Sequence, residues 1–343
     1  GRAGHYRVEH LGAVRRRCVV NDQQAPRHWV TGHRLTLHDS GTRLAGRSTK
    51  IDDARSSIAT VGSMSVANTA KGVFTGQQTS PEIAEAVRRL GLYPVARRVL
   101  FAADYARNFR ENRMVRQTHP DIAFPTPGML WATAPTTSYR VYLSGEESAE
   151  AFYRLAAAHL PEVGRIYELG CGAGSVLRHM PVVAPGVEVF GSDYDPKLVD
   201  WCKANVPDVD VSLNSLDPPL RYDDDSFDFV YSRSVFTHLS ADLQKRWITE
   251  QLRVTRPGGL VLLTVHGDAY MHRLTTAERS EYRTSGLVEH RTADVGGPWY
   301  VTFNSPAYIE RELLAGLEIV YRDLLPEEAL GLRQDIWMVR KPR

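Results

Sequence analysis

Cysteine is scarce in this chain: Cys18, Cys171 and Cys202 are the three it has among 343 residues. Their wide separation gives neither a disulfide framework nor a CxxC metal spacing, so a reducing compartment and no metal are expected. Long apolar runs are missing too. The longest largely apolar stretch, "LVLLTV" at 260–265, has the length of a buried strand and falls far short of the ~20 residues of a membrane-spanning helix. The first residues show no apolar region of the signal-peptide kind. Together these absences lead to the expectation of a cytoplasmic protein without a transmembrane segment. A large net charge is also absent: 42 basic residues stand against 40 acidic ones. No nucleic-acid partner is therefore expected from net charge.

The charge is unevenly spread. Residues 1–63 carry 11 Lys and Arg against 5 Asp and Glu, and residues 64–118 carry 9 against 4. Residues 119–343 carry 22 against 31, an acidic balance that disfavours a polyanionic substrate there. Residues 1–63 hold five of the twelve histidines and keep no period of 2 or 3.6. They read as a disordered or non-native extension, with folding beginning after Met64; the alternative is an ordinary basic arm. Residues 64–145 read as a helical cap. In "SPEIAEAVRRLGL", Ser80 is placed to cap a helix, Pro81 to open it and Gly91 to stop it. The next stretch places Val95, Val99, Ala102, Ala103 and Ala106 on one face, with Arg97, Arg98, Arg107 and Arg110 largely elsewhere. Such a basic amphipathic helix either lies on a lipid surface or presents a solvated charged face. Residues 119–145 read as an irregular segment covering the domain that begins at 146.

From residue 146 strands and helices alternate. "GRIYEL", "VEVFGSD", "VDVSLN", "FDFVYSR", "GGLVLLTVH", "LEIVYRDLL" and "QDIWMVRKP" read as strands, with helical patterns between most of them. The first strand leads into a glycine turn and then a helix expected from about residue 175. This alternation argues for a parallel sheet with both faces covered. In such sheets ligands bind at the carboxyl ends of the strands, where strand order reverses.

The glycine turn "YELGCGAGSV" at 167–176 carries the most specific signal. A dinucleotide-binding turn needs G-x-G-x-x-G, with a pyrophosphate on the helix N-terminus. Here Gly170, Gly172 and Gly174 alternate, Ser175 stands where the third glycine would be, and Glu168 precedes the turn. An acid at that place suits a cationic ligand group. Acid-x-Gly-x-Gly-x-Gly resembles motif I of the class I S-adenosylmethionine-dependent methyltransferases. "VFGSDYDP", "LNSLDPPLRYDDDSFDFVYSRSVFTHLS" and "RVTRPGGLVLLTV" succeed it in the family's order. The resemblance covers about residues 146–343, to a bacterial small-molecule type.

The resemblance implies an α/β fold: a seven-stranded, mostly parallel, doubly wound sheet with an N-terminal helical extension. It implies S-adenosyl-L-methionine as cofactor, with Glu168 toward its ammonium and Gly170, Cys171, Gly172 and Gly174 approaching its methionine part. Asp193 would receive the ribose hydroxyls, Tyr194 would pack on adenine, and Asn214 with Ser215 would meet the adenine edge. Ser232 and Arg233 would border the methionine part. An acid at 193 also suits a dinucleotide fold or a helix cap, although Asp195, before Pro196, suits capping better. Asp228 and the bend Pro257–Gly259 are expected to be scaffold. Tyr139 and Tyr142 either cover the cofactor or pack at the sheet edge.

Methyl transfer to a hydroxyl calls for a general base, and histidine has a suitable pKa. His238 and His266 are the candidates, the latter with Asp268 to orient it; a base from 119–145 or 270–305 is equally open. Trp299, Tyr300 and Phe303 would build an acceptor pocket or the core of a hairpin. The expected activity is methylation of a small molecule, at oxygen rather than nitrogen or carbon. The alternatives are an NAD(P)-dependent oxidoreductase and a non-catalytic, methyltransferase-like interaction subunit.

Overall fold

Runs of β-branched, aromatic and aliphatic residues bounded by turn residues form the strands, and alternate side chains enter opposite cores. The computed structural model describes residues 81–82, 90, 92–291, 295–297, 299–324 and 334–343. All of these fall within one unit spanning residues 53–343. The expectations placed on 1–63, on Met64 and on most of the helix read from Ser80 lie outside the described residues.

The sheet is formed by β1 (Arg165–Leu169), β2 (Glu188–Asp193), β3 (Asp210–Leu213), β4 (Phe227–Ser232), β5 (Thr255–Val265), β8 (Glu318–Asp323) and β9 (Asp335–Arg340). Their order is β3-β2-β1-β4-β5-β9-β8. The first five are parallel, and β9 runs antiparallel to β5 and β8. This is the seven-stranded, mostly parallel sheet of the class I methyltransferase fold. Order reverses at β1 and β4, which places the ligand crevice at their carboxyl ends. After α8 (Thr276–Ser285), the hairpin β6 (Leu287–Arg291) and β7 (Tyr300–Asn304) forms a separate two-stranded sheet.

Ile166, Phe229, Tyr231, Leu260, Leu262, Ile336 and Met338 share one buried cluster. It is covered by α4 (Gly145–His159), α5 (Met180–Val183) and α6 (Pro196–Asn205). Tyr167, Val230, Val261, Leu263 and Trp337 enter the opposite cluster, beneath α7 (Ala241–Val254) and α9 (Pro306–Tyr308) with its π-helical continuation Ile309–Leu313. Each fully buried large apolar side chain contributes ~1.5–3 kcal/mol against the entropy of ordering the chain.

One expectation about a helix needs correction. The helix expected from 175 is a short turn, Leu177–His179, followed by the four-residue α5. Pro181 has no N–H to donate, and its ring crowds the preceding turn, so one continuous helix cannot run through it. The basic stretch before the sheet forms α1 (Tyr93–Thr118). Its buried side mixes Leu100 and Val115 with polar groups: the Asp104 carboxylate accepts from the backbone N–H (2.6 Å) and hydroxyl (3.0 Å) of Thr137. Asn112 donates to the Thr137 carbonyl (2.8 Å) and accepts from the Tyr139 N–H (2.9 Å). Ala103 is half-buried, but Val95, Val99, Ala102 and Ala106 face outward, Val95 at 63% and Val99 at 58% exposure.

The segment read as irregular contains α2 (Pro127–Thr133) and α3 (Tyr139–Leu143). Thr126 and Ser138 cap them with side-chain oxygens. Leu130, Tyr139 and Tyr142 of these helices pack with Val115, Ala173 and Leu198, which seats the cap on the glycine turn.

Candidate active site

The glycine turn leaves β1 with its backbone folded against β2. The N–H groups of Gly170 and Cys171 both donate to the Ser192 carbonyl, at 2.8 and 2.9 Å. Gly172 has φ +57°, in the left-handed region that favours glycine. A Cβ on it would stand 2.9 Å from Thr133 Cγ2, so a side chain here would meet α2. Its N–H donates to Asp193 Oδ2 at 2.9 Å. Gly174 faces elsewhere, toward Val206 and Cys202 of the β2–β3 connection.

Two neighbouring clefts open above this turn. One, of about 880 Å³, is bordered by Asp193, Tyr194, Asn214, Ser215, Leu216 and His238, among others. The second, of about 720 Å³, is bordered by Thr133, Ser138, Tyr142, Glu168, Cys171 and Ser175, among others. Gly170, Gly172, Thr133, Arg233 and Ser234 belong to both, so the two join over the turn.

Asp193 ends β2 and is 6% exposed. Its Oδ2 accepts from Gly172 and its Oδ1 from the Asp195 N–H at 2.9 Å. Burial raises its pKa, and those backbone donors oppose the rise. A carboxylate offers about four acceptor sites, so capacity remains for a ligand's hydroxyl pair. Asp195 does the capping: its side chain accepts from the Lys197 N–H at 2.9 Å, with Pro196 opening α6.

Glu168 is 2% exposed, and the Tyr231 hydroxyl donates to it at 2.8 Å. Burial pushes its carboxyl up to about 8, against the pull of Tyr231 and Arg233. An acid held in this state at the border of a cleft gains from a cationic ligand group. Arg233 borders both clefts; burial lowers its pKa, and its Nε has no hydrogen-bond partner.

The β3–β4 loop is anchored by a hydrogen-bonded chain. Tyr167 Oη and Ser192 Oγ lie 2.5 Å apart, and Ser192 Oγ donates to Asn214 Oδ1 at 2.6 Å. Asn214 therefore reaches the cleft with its carbonyl oxygen already receiving one bond, while its amide donates to the Ser215 carbonyl (2.6 Å). Tyr194 stands at the rim, 44% exposed, its hydroxyl donating to the Gly296 carbonyl (3.2 Å). Trp247 and Leu216 complete this wall, tied by the indole N–H donating to the Leu216 carbonyl at 2.9 Å. Neither stands out in the sequence. Trp247 sits within the ordinary apolar face of α7, and Leu216 in an irregular loop.

Three expected residues fall elsewhere. Ser232 is fully buried, borders neither cleft and donates to the Leu262 carbonyl at 3.5 Å. Strand alternation explains this, since Tyr231 and Arg233 occupy the opposite side of the pleat. Cys171 borders the second cleft, but its side chain belongs to the core beside Cys202. The neighbouring thiol and burial push its own thiol up, which keeps it protonated as a small apolar filler.

His266 borders neither cleft. It packs against Tyr270 (4.1 Å between ring centres) and Phe303 (5.5 Å), and burial holds it neutral, with the charge of Arg273 adding to the effect. Asp268 instead accepts from the Tyr282 hydroxyl at 2.9 Å.

His238 borders the first cleft. Its Nδ1 lies 2.7 Å from the Tyr300 carbonyl, which can only accept; Nδ1 therefore carries the proton and Nε2 the lone pair. Burial lowers its pKa, against the pull of that carbonyl.

The hairpin has its own core of Leu274, Tyr282, Val288 and Phe303. Tyr300 donates to Glu289 at 2.8 Å, and Trp299 packs with Trp131 and Leu100. Tyr142 donates to the Ala173 carbonyl at 3.2 Å and borders the second cleft, whereas Tyr139 stacks on Phe124. Asp228 is scaffold: it accepts from the N–H groups of Gly164 and Arg165 and pairs with Arg256.

Residues 167–263 match the methyltransferase domain family. An uncharacterized methyltransferase of Schizosaccharomyces pombe is 28% identical over 148 residues, 40% of this chain and 52% of that protein. A demethylmenaquinone methyltransferase of Deinococcus radiodurans is 32% identical over 111 residues, 32% of this chain and 44% of that protein. The chain thus spans about half the length of these relatives, or less. A solved methyltransferase from Methanosarcina mazei, described as SAM-dependent, is 17% identical with a TM-score of 0.41, covering 55% of this chain and 98% of that one. The family match thus falls on β1 to β5 and the glycine turn, within a sheet that has the strand order of the class I methyltransferase fold.

Proposed function

We propose that this chain transfers a methyl group from S-adenosyl-L-methionine to a small-molecule acceptor, at a hydroxyl oxygen. The observation that supports this most is the pairing of two buried carboxyls across the Gly172 turn. Asp193 keeps acceptor capacity for the ribose hydroxyls, and Glu168 stands where an ammonium would be balanced. Gly172 and Thr133 would bound the methionine part, and Tyr194, Leu216 and Trp247 the adenine. When bound, the cofactor supplies an electrophilic methyl carbon on a sulfonium.

The residues of this chain then have two tasks. They hold the acceptor oxygen in line with that carbon and keep water out, and orientation of this kind contributes several kcal/mol. His238 accepts the hydroxyl proton at Nε2 as the oxygen–carbon bond forms. Burial suits it to that role, because a neutral imidazole is ready to accept at neutral pH. The matched S. pombe and D. radiodurans proteins, both named methyltransferases, support the reaction class.

Thermal shift tests the cofactor assignment. S-adenosylhomocysteine at about 100 times its dissociation constant should stabilise the protein by ~2.7 kcal/mol, and NADH should leave the melting temperature unchanged. Stabilisation by NADH alone would replace this reading with that of an oxidoreductase. Acceptor screening, with mass detection of one added methyl group, then identifies the substrate.

A further inference from the structure

The outer face of α1 stands apart from the clefts and has no role in the chemistry above. Leu92, Val95, Val99, Ala102, Ala106 and Phe109 recur at spacings of three and four and form one stripe along the helix. All six are exposed, Leu92 at 51% and Phe109 at 53%. Tyr105, at 40% exposure, lies beside Phe109 with ring centres 6.0 Å apart, and Met114 is 58% exposed. A soluble surface rarely lines up so many apolar side chains without a partner.

The charges on this helix have one sign where the stripe is. Arg98, Arg107, Arg110 and Arg113 are exposed on or beside it. Of the two acids of α1, Asp104 is engaged inward with Thr137, and Glu111 lies away from the stripe in a solvent-facing ion pair with Arg140 at 2.7 Å. The apolar stripe of this 26-residue helix, about 39 Å long, is thus flanked by basic groups and carries no acid of its own.

From this we infer that α1 lies on an anionic lipid surface, its apolar stripe among the acyl chains and its arginines at the headgroup phosphates. The same combination disfavours other occupants. A second copy would set arginine against arginine. A nucleic acid would reward the arginines but leave the row of Val, Ala and Phe without a gain. A lipid surface rewards both, and long arginine stems let the charge reach the headgroups while the aliphatic part stays buried. The inward face of α1 holds the cap over the clefts through Asp104 and Asn112, so a chain docked this way keeps its site next to the membrane. The inference is independent of the proposed reaction.

Cosedimentation of the full chain with phosphatidylcholine vesicles tests it, with and without about one third phosphatidylglycerol. The full chain should partition at least about tenfold more strongly onto the anionic vesicles and release at high salt. Val99→Glu with Phe109→Glu should abolish the binding at unchanged melting temperature, because both side chains are exposed. Arg110→Glu with Arg113→Glu should weaken it and leave binding of S-adenosylhomocysteine unaltered. The basic residues of 1–63 are an independent route to anionic vesicles; binding that survives Val99→Glu/Phe109→Glu would assign the attraction to them and overturn the inference. So would absence of vesicle binding, or a concentration-dependent dimer, seen by light scattering, that the same double variant dissolves.

Discussion

Gly172 shows how much one hydrogen atom in place of a side chain can accomplish. Its left-handed φ of +57° lets the chain turn, its N–H fixes the Asp193 carboxylate, and its open side admits the Thr133 methyl. Gly172→Ala should cost ~1–3 kcal/mol of backbone strain, plus the cost of a Cβ pressed against Thr133. Thr133→Ser removes the Cγ2 that the new Cβ would meet and leaves the backbone strain in place. Urea denaturation of the two single variants and the double variant should therefore show positive coupling, about 0.5–1 kcal/mol for residues in contact. Simple additivity would mean that α2 moves aside freely and that the glycine serves the turn alone. This spatial reason was not legible in the sequence. The alternating glycines announce a tight turn and a close approach, but only folding shows that the approach is to the cap as well as the cleft.

At the scale of elements, two acids two residues apart divide the work. Asp195 caps α6 through the Lys197 N–H, while Asp193 turns back to the glycine turn and the cleft. Asp195→Ala should lower stability by about 1 kcal/mol, the usual worth of such a cap, with cofactor affinity little changed. Asp193→Ala should weaken S-adenosylhomocysteine binding by roughly 1.5–3 kcal/mol, read by calorimetry, while the protein stays folded. Equal losses of binding in both variants would remove the distinction.

Much of the element order could be read in advance, because five strands buried on both faces and their covering helices carry strong hydrophobic patterns. The glycine turn, Asp193 and the pair Asn214 and Ser215 could be placed from motif order. The facing of α1 could not. Its interior contacts mix Asp104 and Asn112, bonded to Thr137, with Leu100 and Val115, so no single apolar period marks the inner face. The two histidines were equally readable and structurally unequal. A residue at a strand end is visible in a sequence, whereas the Tyr270 and Phe303 rings that enclose His266 come from a later hairpin and turn.

At the scale of the whole molecule, two buried carboxyls held far above the ordinary carboxylate range shape the response to pH. Glu168 is pushed up to about 8 by burial, and Asp335 likewise to about 8, by burial first and then by Asp268 and Asp323. Asp335 is fully buried at the start of β9, and neither of its oxygens has a hydrogen-bond partner. In the unfolded chain both groups titrate near 4. Between there and about 8 the folded protein therefore holds more protons than the unfolded chain, and stability falls as pH rises, by at most about 1.4 kcal/mol per unit for each group. Above about 8 both states are ionised and the loss levels off. Other groups act at different pH. Glu278, beside His290, is drawn down to about 2, so its contribution is lost only in acid. The lowered pKa values of His238 and His266 raise stability as pH climbs toward about 6.5 and add nothing beyond. Below about pH 6.5 these opposing slopes offset each other, so the melting temperature should hold roughly level there, decline to about pH 8 and then flatten. Asp335→Asn keeps the shape and removes one titration, so the decline should become shallower and the variant should exceed the parent in stability at about pH 8. Thermal unfolding of both proteins across that range decides the matter. A parent whose stability holds level or climbs from pH 6.5 to 8 would show that these carboxyls are ionised and satisfied in the folded state.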